Sequence, residues 1–250
     1  MARNNTTRVT RDKTSRPARD KTTLPTREKG RGSTRKKVSS AWMREHVTDQ
    51  FVKRAAREGL RSRASYKLKE INERDKLVKP GMCVVDLGAA PGGWSQLVAP
   101  LVGTGGTVFA LDLLEMVPLP HVSFIQGDFR EKAVLRQLEH ALKGRAVDLV
   151  LSDMAPNISG VASTDQARTL HLVELALDFA VTYLIPGGTL LVKVFQGAGA
   201  DDLRRQMRVF FESVVVRKPE ASRDRSREFF LLARGRKLAE AAGATGDETV

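Results

Sequence analysis

A doubly wound α/β domain on a mainly parallel, seven-stranded sheet with an antiparallel last strand is the fold this sequence predicts, and three observations predict it. Short apolar runs, most ending at an acid or a turn, alternate with helical patterns between Met82 and Ala233. The runs are continuously apolar rather than alternating with period two, as expected of strands buried on both faces of a helix-covered sheet. Only an Arg- and Ser-rich stretch separates the last two runs, so they pair as antiparallel neighbours.

The elements follow in order. Trp42 to Gly59 reads as a helix with Met43, Val47, Phe51, Ala55 and Ala56 roughly on one face. Ser62 or Ala64 opens a second helix, with Tyr66, Leu68, Ile71 and Leu77 apolar, which Pro80-Gly81 ends. Met82 to Leu87 is a strand, Trp94 to Leu101 a helix, Thr107 to Leu111 a strand ending at Asp112, and Val122 to Gln126 a strand ending near Asp128. Residues 130 to 143 form a helix and Val147 to Leu151 a strand ending at Asp153. A long helix, Gln166 to Tyr183, is turned by Pro186-Gly187-Gly188 into the strand Thr189 to Phe195. Asp201 to Phe211 is helical, and Val214 to Arg217 and Phe229 to Ala233 are the final strands. Trp42, Phe51 and Tyr66 are read as core packing, from their helical spacing.

Composition bounds the function. The 250 residues, 41% of them apolar, suffice for one sizeable domain. Cys83 is the single cysteine, and His46, His121, His140 and His171 lack metal-ligand spacing, so neither a disulfide nor a metal centre is expected. No apolar run has the length of a membrane span and the N-terminus lacks a secretory pattern, which makes the cytoplasm the expected location. Net charge is +13, and residues 1–40 hold 13 Lys or Arg against 3 acids, leaving 29 against 26 for the rest. The expected organisation is a basic disordered arm over 1–40, a folded domain over 41–236 and a flexible tail over 237–250. A basic arm of this kind suits contact with nucleic-acid phosphates as well as simple solvation.

The centre of the chain is the stretch Val84 to Gln96, a strand end, a bare small-residue loop and a helix start. Aligning a dinucleotide fingerprint on Gly88 puts Ala90 where its second glycine belongs, and Pro91 removes an amide donor. The lysine and hydroxyl of a phosphate loop are missing as well. Such a loop beside an acid suits a phosphate-free, positively charged ligand, which describes S-adenosylmethionine (SAM). Asp112, 19 residues past Gly93, stands where a carboxylate accepts both ribose hydroxyls of a nucleoside, a reading that fits NAD as well as SAM. Asp128 suits an adenine amino group. The plainer role for each is capping backbone amides beside a turn. Lys193, inside an apolar strand, needs either a carboxylate or a role at the sheet's rim, and the neighbouring strand offers Asp153. A desolvated lysine at a cleft can act as a general base; the plainer alternative is a buried ion pair.

The run Ser62-Arg-Ala-Ser-Tyr-Lys67-Leu, the DLGAAPGGWSQ loop, SDMAPN, VKVFQG and Ser226-Arg227-Glu228 together resemble the FtsJ/RrmJ family of SAM-dependent RNA 2′-O-ribose methyltransferases, over about Ser39 to Arg236. The resemblance implies a Rossmann-like class I SAM methyltransferase fold. It places a catalytic tetrad on Lys67, Asp153, Lys193 and Glu228, and SAM contacts on Gly92, Trp94, Asp112, Asp128 and Asp153. It further implies a uridine of 23S rRNA, within the large ribosomal subunit, as substrate; a monomeric, metal-free enzyme with no membrane partner is expected. Alternatives are a 2′-O-methyltransferase for tRNA or an mRNA cap, and a non-catalytic ribosome-assembly factor. Lys53, Arg54, Arg57, Arg61 and Arg63 on one side, and Arg217, Lys218, Arg223, Arg225 and Arg227 on the other, are candidate phosphate grips.

Overall fold

The computed structural model describes residues 49–156, 159–223 and 226–238. The basic arm, Trp42, Met43, Val47, Arg225 and most of the C-terminal tail lie outside them. The elements are α1 (Gln50–Arg57), α2 (Ala64–Asp75), β1 (Cys83–Leu87), α3 (Gly93–Val102), β2 (Thr107–Asp112), β3 (Val122–Gln126), α4 (Lys132–Leu142), β4 (Val147–Ser152), α5 (Ala162–Tyr183), β5 (Leu184–Phe195), α6 (Ala200–Phe210), β6 (Phe211–Arg217) and β7 (Glu228–Arg236).

The seven strands lie in the order β3-β2-β1-β4-β5-β7-β6. Pairings from β3 through β5 are parallel, and β7 runs antiparallel to both β5 and β6. The chain winds outward from β1 to β3 and then crosses back to β4, so the switch point falls between β1 and β4, where such sheets bind ligands past their carboxyl ends. All five residues of β1 are buried, the expected state of a central strand covered on both faces. One core face includes Val85, Leu87, Val192, Leu177 and Leu231. The other joins Val84, Leu149, Leu191 and Phe230 to Leu68 and Ile71 of α2 and to Trp94 of α3.

The boundaries depart from the sequence reading where local chemistry overrides periodicity. Helix α2 ends at Asp75, short of Pro80-Gly81, because Lys76 turns left-handed (φ 51°) and the Asn72 side chain accepts the amide of Val78. Helix α5 starts four residues before Gln166, and Asp165 in its first turn accepts the amides of Ser159 and Gly160. Strand β5 starts at Leu184, opposite Val147, with a register shift before Thr189 that accommodates Pro186-Gly187-Gly188. Strand β6 follows α6 directly at the fully buried Phe211. Within the expected first helix, Gln50–Arg57 is described, with Asp49 as its cap.

Candidate active site

Two loops meet at the carboxyl edge between β1 and β4. Gly88 adopts φ +75°, and a Cβ there would lie 2.5 Å from Cγ of Met154, so only glycine lets the loop after β1 pass the loop after β4. Gly92 adopts φ +97°, with Sδ of Met116 2.7 Å from where a Cβ would be. It precedes the first turn of α3, whose amides face the cleft end of the sheet.

Four carboxylates lie at the carboxyl ends of β1 to β4. Asp112 accepts the amide of Ala90 at 2.9 Å and that of Leu114 at 2.8 Å. Its oxygens therefore brace the loop and keep a second lone pair each for a ligand. Asp128 is engaged by Arg130, whose Nε lies 2.9 Å from both carboxylate oxygens, and this hydrogen bond holds its carboxyl below the usual range. Asp86 is buried within β1 and accepts from Oγ of Ser95 at 2.6 Å. Burial pushes its carboxyl up to about 7, with Asp153 and Asp112 adding to the shift. Asp153 completes the set.

The tetrad residues converge on the face of the sheet that carries α2. Lys193 and Glu228 share strand parity with Leu191 and Phe230, and the register sets Phe195 opposite Glu228 and Lys193 opposite Phe230. The Lys193 amine lies 3.0 Å from Oδ1 of Asp153 and donates to the main-chain oxygen of Asp153 at 2.6 Å. The Lys67 amine, brought in by α2, lies 2.7 Å from Oε1 of Glu228 and 4.0 Å from Oδ1 of Asp153. Lys67, Lys193 and Glu228 are all under one-tenth exposed. Burial alone would raise the Glu228 carboxyl, but the charge and hydrogen bond of Lys67 outweigh it and hold the group below its ordinary value.

The structure brings together Lys67, Asp153, Lys193 and Glu228, with Gly92 on the loop after β1 and Asp112 at the end of β2. Trp94 stands differently. Its indole donates to the carbonyl of Ala64 at 2.8 Å and its ring packs on Phe230 with centroids 5.7 Å apart, so the side chain is engaged within the fold. Tyr66 is buried and Phe51 half-buried, as expected of core aromatics.

Most of the expected phosphate grips are engaged within the protein. Arg61 donates to the carbonyls of Pro91 (3.1 Å), Val117 (2.5 Å) and Pro118 (2.8 Å). Arg63 pairs with Asp49 and donates to Ala221, and Arg223 also reaches Asp49. Arg217 forks onto Asp75, Lys218 holds the carbonyls of Ser226 and Glu228, and Arg54 pairs with Glu58. Lys53, Arg57 and Arg227 are exposed.

Residues 60–236 match the family described as FtsJ-like methyltransferase. The chain belongs to this family. SAM is accordingly its methyl donor, and a glycine cradle ringed by carboxylates fits a nucleoside carrying a positive sulfur. The chain is 58% identical over 201 residues to "Ribosomal RNA large subunit methyltransferase E" of Chromobacterium violaceum, covering 80% of this chain and 98% of that one. It is 62% identical over 196 residues to the protein of the same name in an Azoarcus species, covering 78% and 96%. A crystal structure assigned as a ribosomal RNA methyltransferase of Plasmodium falciparum superposes with a TM-score of 0.65 at 28% identity, covering 72% of this chain and all of that one. The seven-stranded, mainly parallel sheet is the Rossmann-like class I methyltransferase architecture the family implies.

In this FtsJ-like chain, sequence reasoning passed over Asp86, and it named Arg61 as a phosphate grip without its bonds to Pro91, Val117 and Pro118. The signal for Asp86 was present: an acid inside a run buried on both sides must be neutral or paired. For Arg61 there was none, because its acceptors lie 30 to 57 residues away.

Proposed function

We propose that the protein transfers the methyl group of SAM to the ribose 2′-hydroxyl of a uridine in 23S rRNA, acting on the large ribosomal subunit. Support comes from the relatives that carry the large-subunit name at 58–62% identity, and from the carboxyl-edge convergence of two amines and two carboxylates. We further propose residues 41–236 as the catalytic domain, working as a metal-free monomer in the cytoplasm, with the basic arm as an added rRNA contact. Among the described residues no helix is long and apolar enough to cross a membrane.

The carrying observation is the convergence itself. When bound, SAM supplies an electrophilic methyl group on a positively charged sulfur that is also its leaving group. What remains for the protein is to align the hydroxyl and remove its proton. In its neutral form the Lys193 amine keeps its two contacts to Asp153 and turns its lone pair to the 2′-oxygen, taking the hydroxyl proton as the new carbon–oxygen bond forms and the carbon–sulfur bond of SAM breaks. Asp153 fixes that amine and presents negative charge toward the sulfonium end. Lys67, locked by Glu228, holds the sugar. Gly92 and the main chain of Trp94 seat the donor, Asp112 receives its ribose and Asp128 its adenine. Because DNA lacks the 2′-hydroxyl, selectivity for RNA is inherent in the reaction.

Offering labelled SAM with free rRNA, large subunits and tRNA in parallel, and then mapping the modified ribose, tests the reading. Label on a 23S uridine ribose is expected. Label confined to tRNA, or to a base carbon or nitrogen, would overturn it.

A further inference from the structure

On the opposite face of the same sheet edge, the ends of β5, β6 and β7 surround a groove of about 420 Å³ lined by Gln196, Gly197, Asp201, Val216, Lys218 and Phe229. None of these residues belongs to the donor site or the tetrad. We propose that this groove receives the base of an RNA nucleotide adjacent to the one whose ribose meets Lys193. The inference rests on the methyltransferase reading above and adds a second point of contact for the same RNA strand.

Position is the first argument. Glu228 and Phe229 are consecutive on β7, so their Cα atoms are about 3.8 Å apart and their side chains leave the strand on opposite faces. Glu228 points to Lys67, whereas Phe229 packs at the margin of the other core face and walls the groove. An RNA strand whose ribose is held at Lys67 and Glu228 therefore reaches the groove by crossing a single β-strand. Lys218 links the two sites directly: its amine, in the groove wall, holds the carbonyls of Ser226 (2.7 Å) and Glu228.

Chemistry is the second. The half-buried ring of Phe229 offers a flat apolar wall of the kind on which bases stack. The exposed Gln196 carboxamide has no hydrogen bond to a described residue, and it carries both a donor and an acceptor. Asp201 adds an acceptor and Lys218 a donor. One flat face with a mixed polar rim complements a nucleobase, which has a π-face and an edge of alternating donors and acceptors. A phosphate would be repelled by Asp201, and a purely apolar ligand would leave Gln196 and Asp201 unpaired. The volume lies within the range of sites for small organic groups.

The groove is also held in shape. The amide of Gln196 donates to the carbonyl of Arg227 at 2.8 Å, tying the end of β5 to the loop before β7. Gln166 of α5 donates to the carbonyl of Ala198 at 3.1 Å and so braces the turn into α6.

Two variants and one crosslink test the proposal. Val216 is 43% exposed, so Val216→Trp places bulk in the groove without entering the core. Gln196→Ala removes the rim amide from an exposed position and guards against a folding defect in the first variant. Steady-state methylation is measured on large ribosomal subunits from cells lacking the enzyme, with SAM affinity measured by direct titration. Val216→Trp is expected to raise the KM for subunits about 10- to 100-fold, the range of one lost base–aromatic stack. Gln196→Ala is expected to raise it about 3- to 10-fold, the range of one hydrogen bond. In both, kcat at saturating subunits and SAM affinity stay within about twofold of wild type. A photoreactive benzophenone side chain at position 216 is expected to crosslink within two nucleotides of the methylated ribose. Unchanged KM in both variants, or a crosslink to ribosomal protein or distant rRNA, would overturn the groove assignment and leave the methyltransferase reading intact. Wild-type enzyme that methylates no ribose would instead sink that reading, and the groove assignment with it.

Discussion

Replacing Glu228 by glutamine separates the charge of the Lys67–Glu228 pair from its shape. The two groups are 2.7 Å apart with side chains about one-tenth exposed, and Asp153 at 4.0 Å is the next carboxylate to Lys67. Deleting one partner of a buried pair costs about 3–5 kcal/mol, because the other is left charged and unpaired. Glutamine keeps a hydrogen-bond acceptor, so the cost falls to the difference between charged and neutral hydrogen bonds, about 1–2 kcal/mol. For a domain of this size that is about 2–8 °C in Tm. The pH dependence identifies the cause. The folded-state carboxyl of Glu228 lies below its ordinary value, so its contribution is complete above the usual carboxylate range and is lost as pH falls through the lowered pKa. Thermal unfolding of wild type and Glu228→Gln, followed by fluorescence from pH 8 down to pH 3.5, should show a Tm gap that is full at neutral pH and closes in acid. A gap that stays constant, or widens in acid, would refute an ionised Glu228 held by Lys67.

Three further outcomes follow from the donor side of the site. Asp86→Asn should be more stable than wild type at pH 8 by up to a few kcal/mol, since a carboxyl raised to about 7 favours folding below its unfolded value and forfeits that stability as pH rises through 7; the variant should also bind SAM more weakly, and a chemical denaturation series across pH 5 to 8 that parallels wild type would contradict this. Arg61→Lys cannot reach the carbonyls of Pro91, Val117 and Pro118 together, so SAM affinity in a calorimetric titration should fall about 10-fold with rRNA affinity unchanged; equal losses in both would mean a phosphate contact instead. Gly88→Ala combines a left-handed φ with a 2.5 Å clash against Met154, and should abolish measurable SAM binding even where circular dichroism shows a folded protein; normal binding would show that the two loops yield freely.

What was legible in the sequence was what repeats or travels as a short string. Continuous apolar runs placed all seven strands, because parallel strands buried on both faces carry their burial in their own composition. The convergence of Lys67, Asp153, Lys193 and Glu228 was legible through the family resemblance, because each sits within a compact motif. Which of the basic residues around it are engaged within the protein was not legible, since an arginine's partner is a tertiary fact. Arg61 reaches Val117, 56 positions on, and Arg217 reaches Asp75, 142 positions back. The packing of the Trp94 side chain against α2 and Phe230 is likewise a tertiary fact that its loop motif does not carry. Helix ends were missed where capping by Asn72 or Asp165 outweighed apolar spacing.

The central claim is that the amine of Lys193, held by Asp153, removes the proton from a sugar hydroxyl. Single-turnover transfer of labelled methyl to large subunits by Lys193→Ala, with SAM binding titrated on the same preparation, tests it most directly. SAM affinity close to wild type and a transfer rate lower by about 10²–10⁴ are expected. Transfer at a near-normal rate by a variant that binds SAM normally would contradict it.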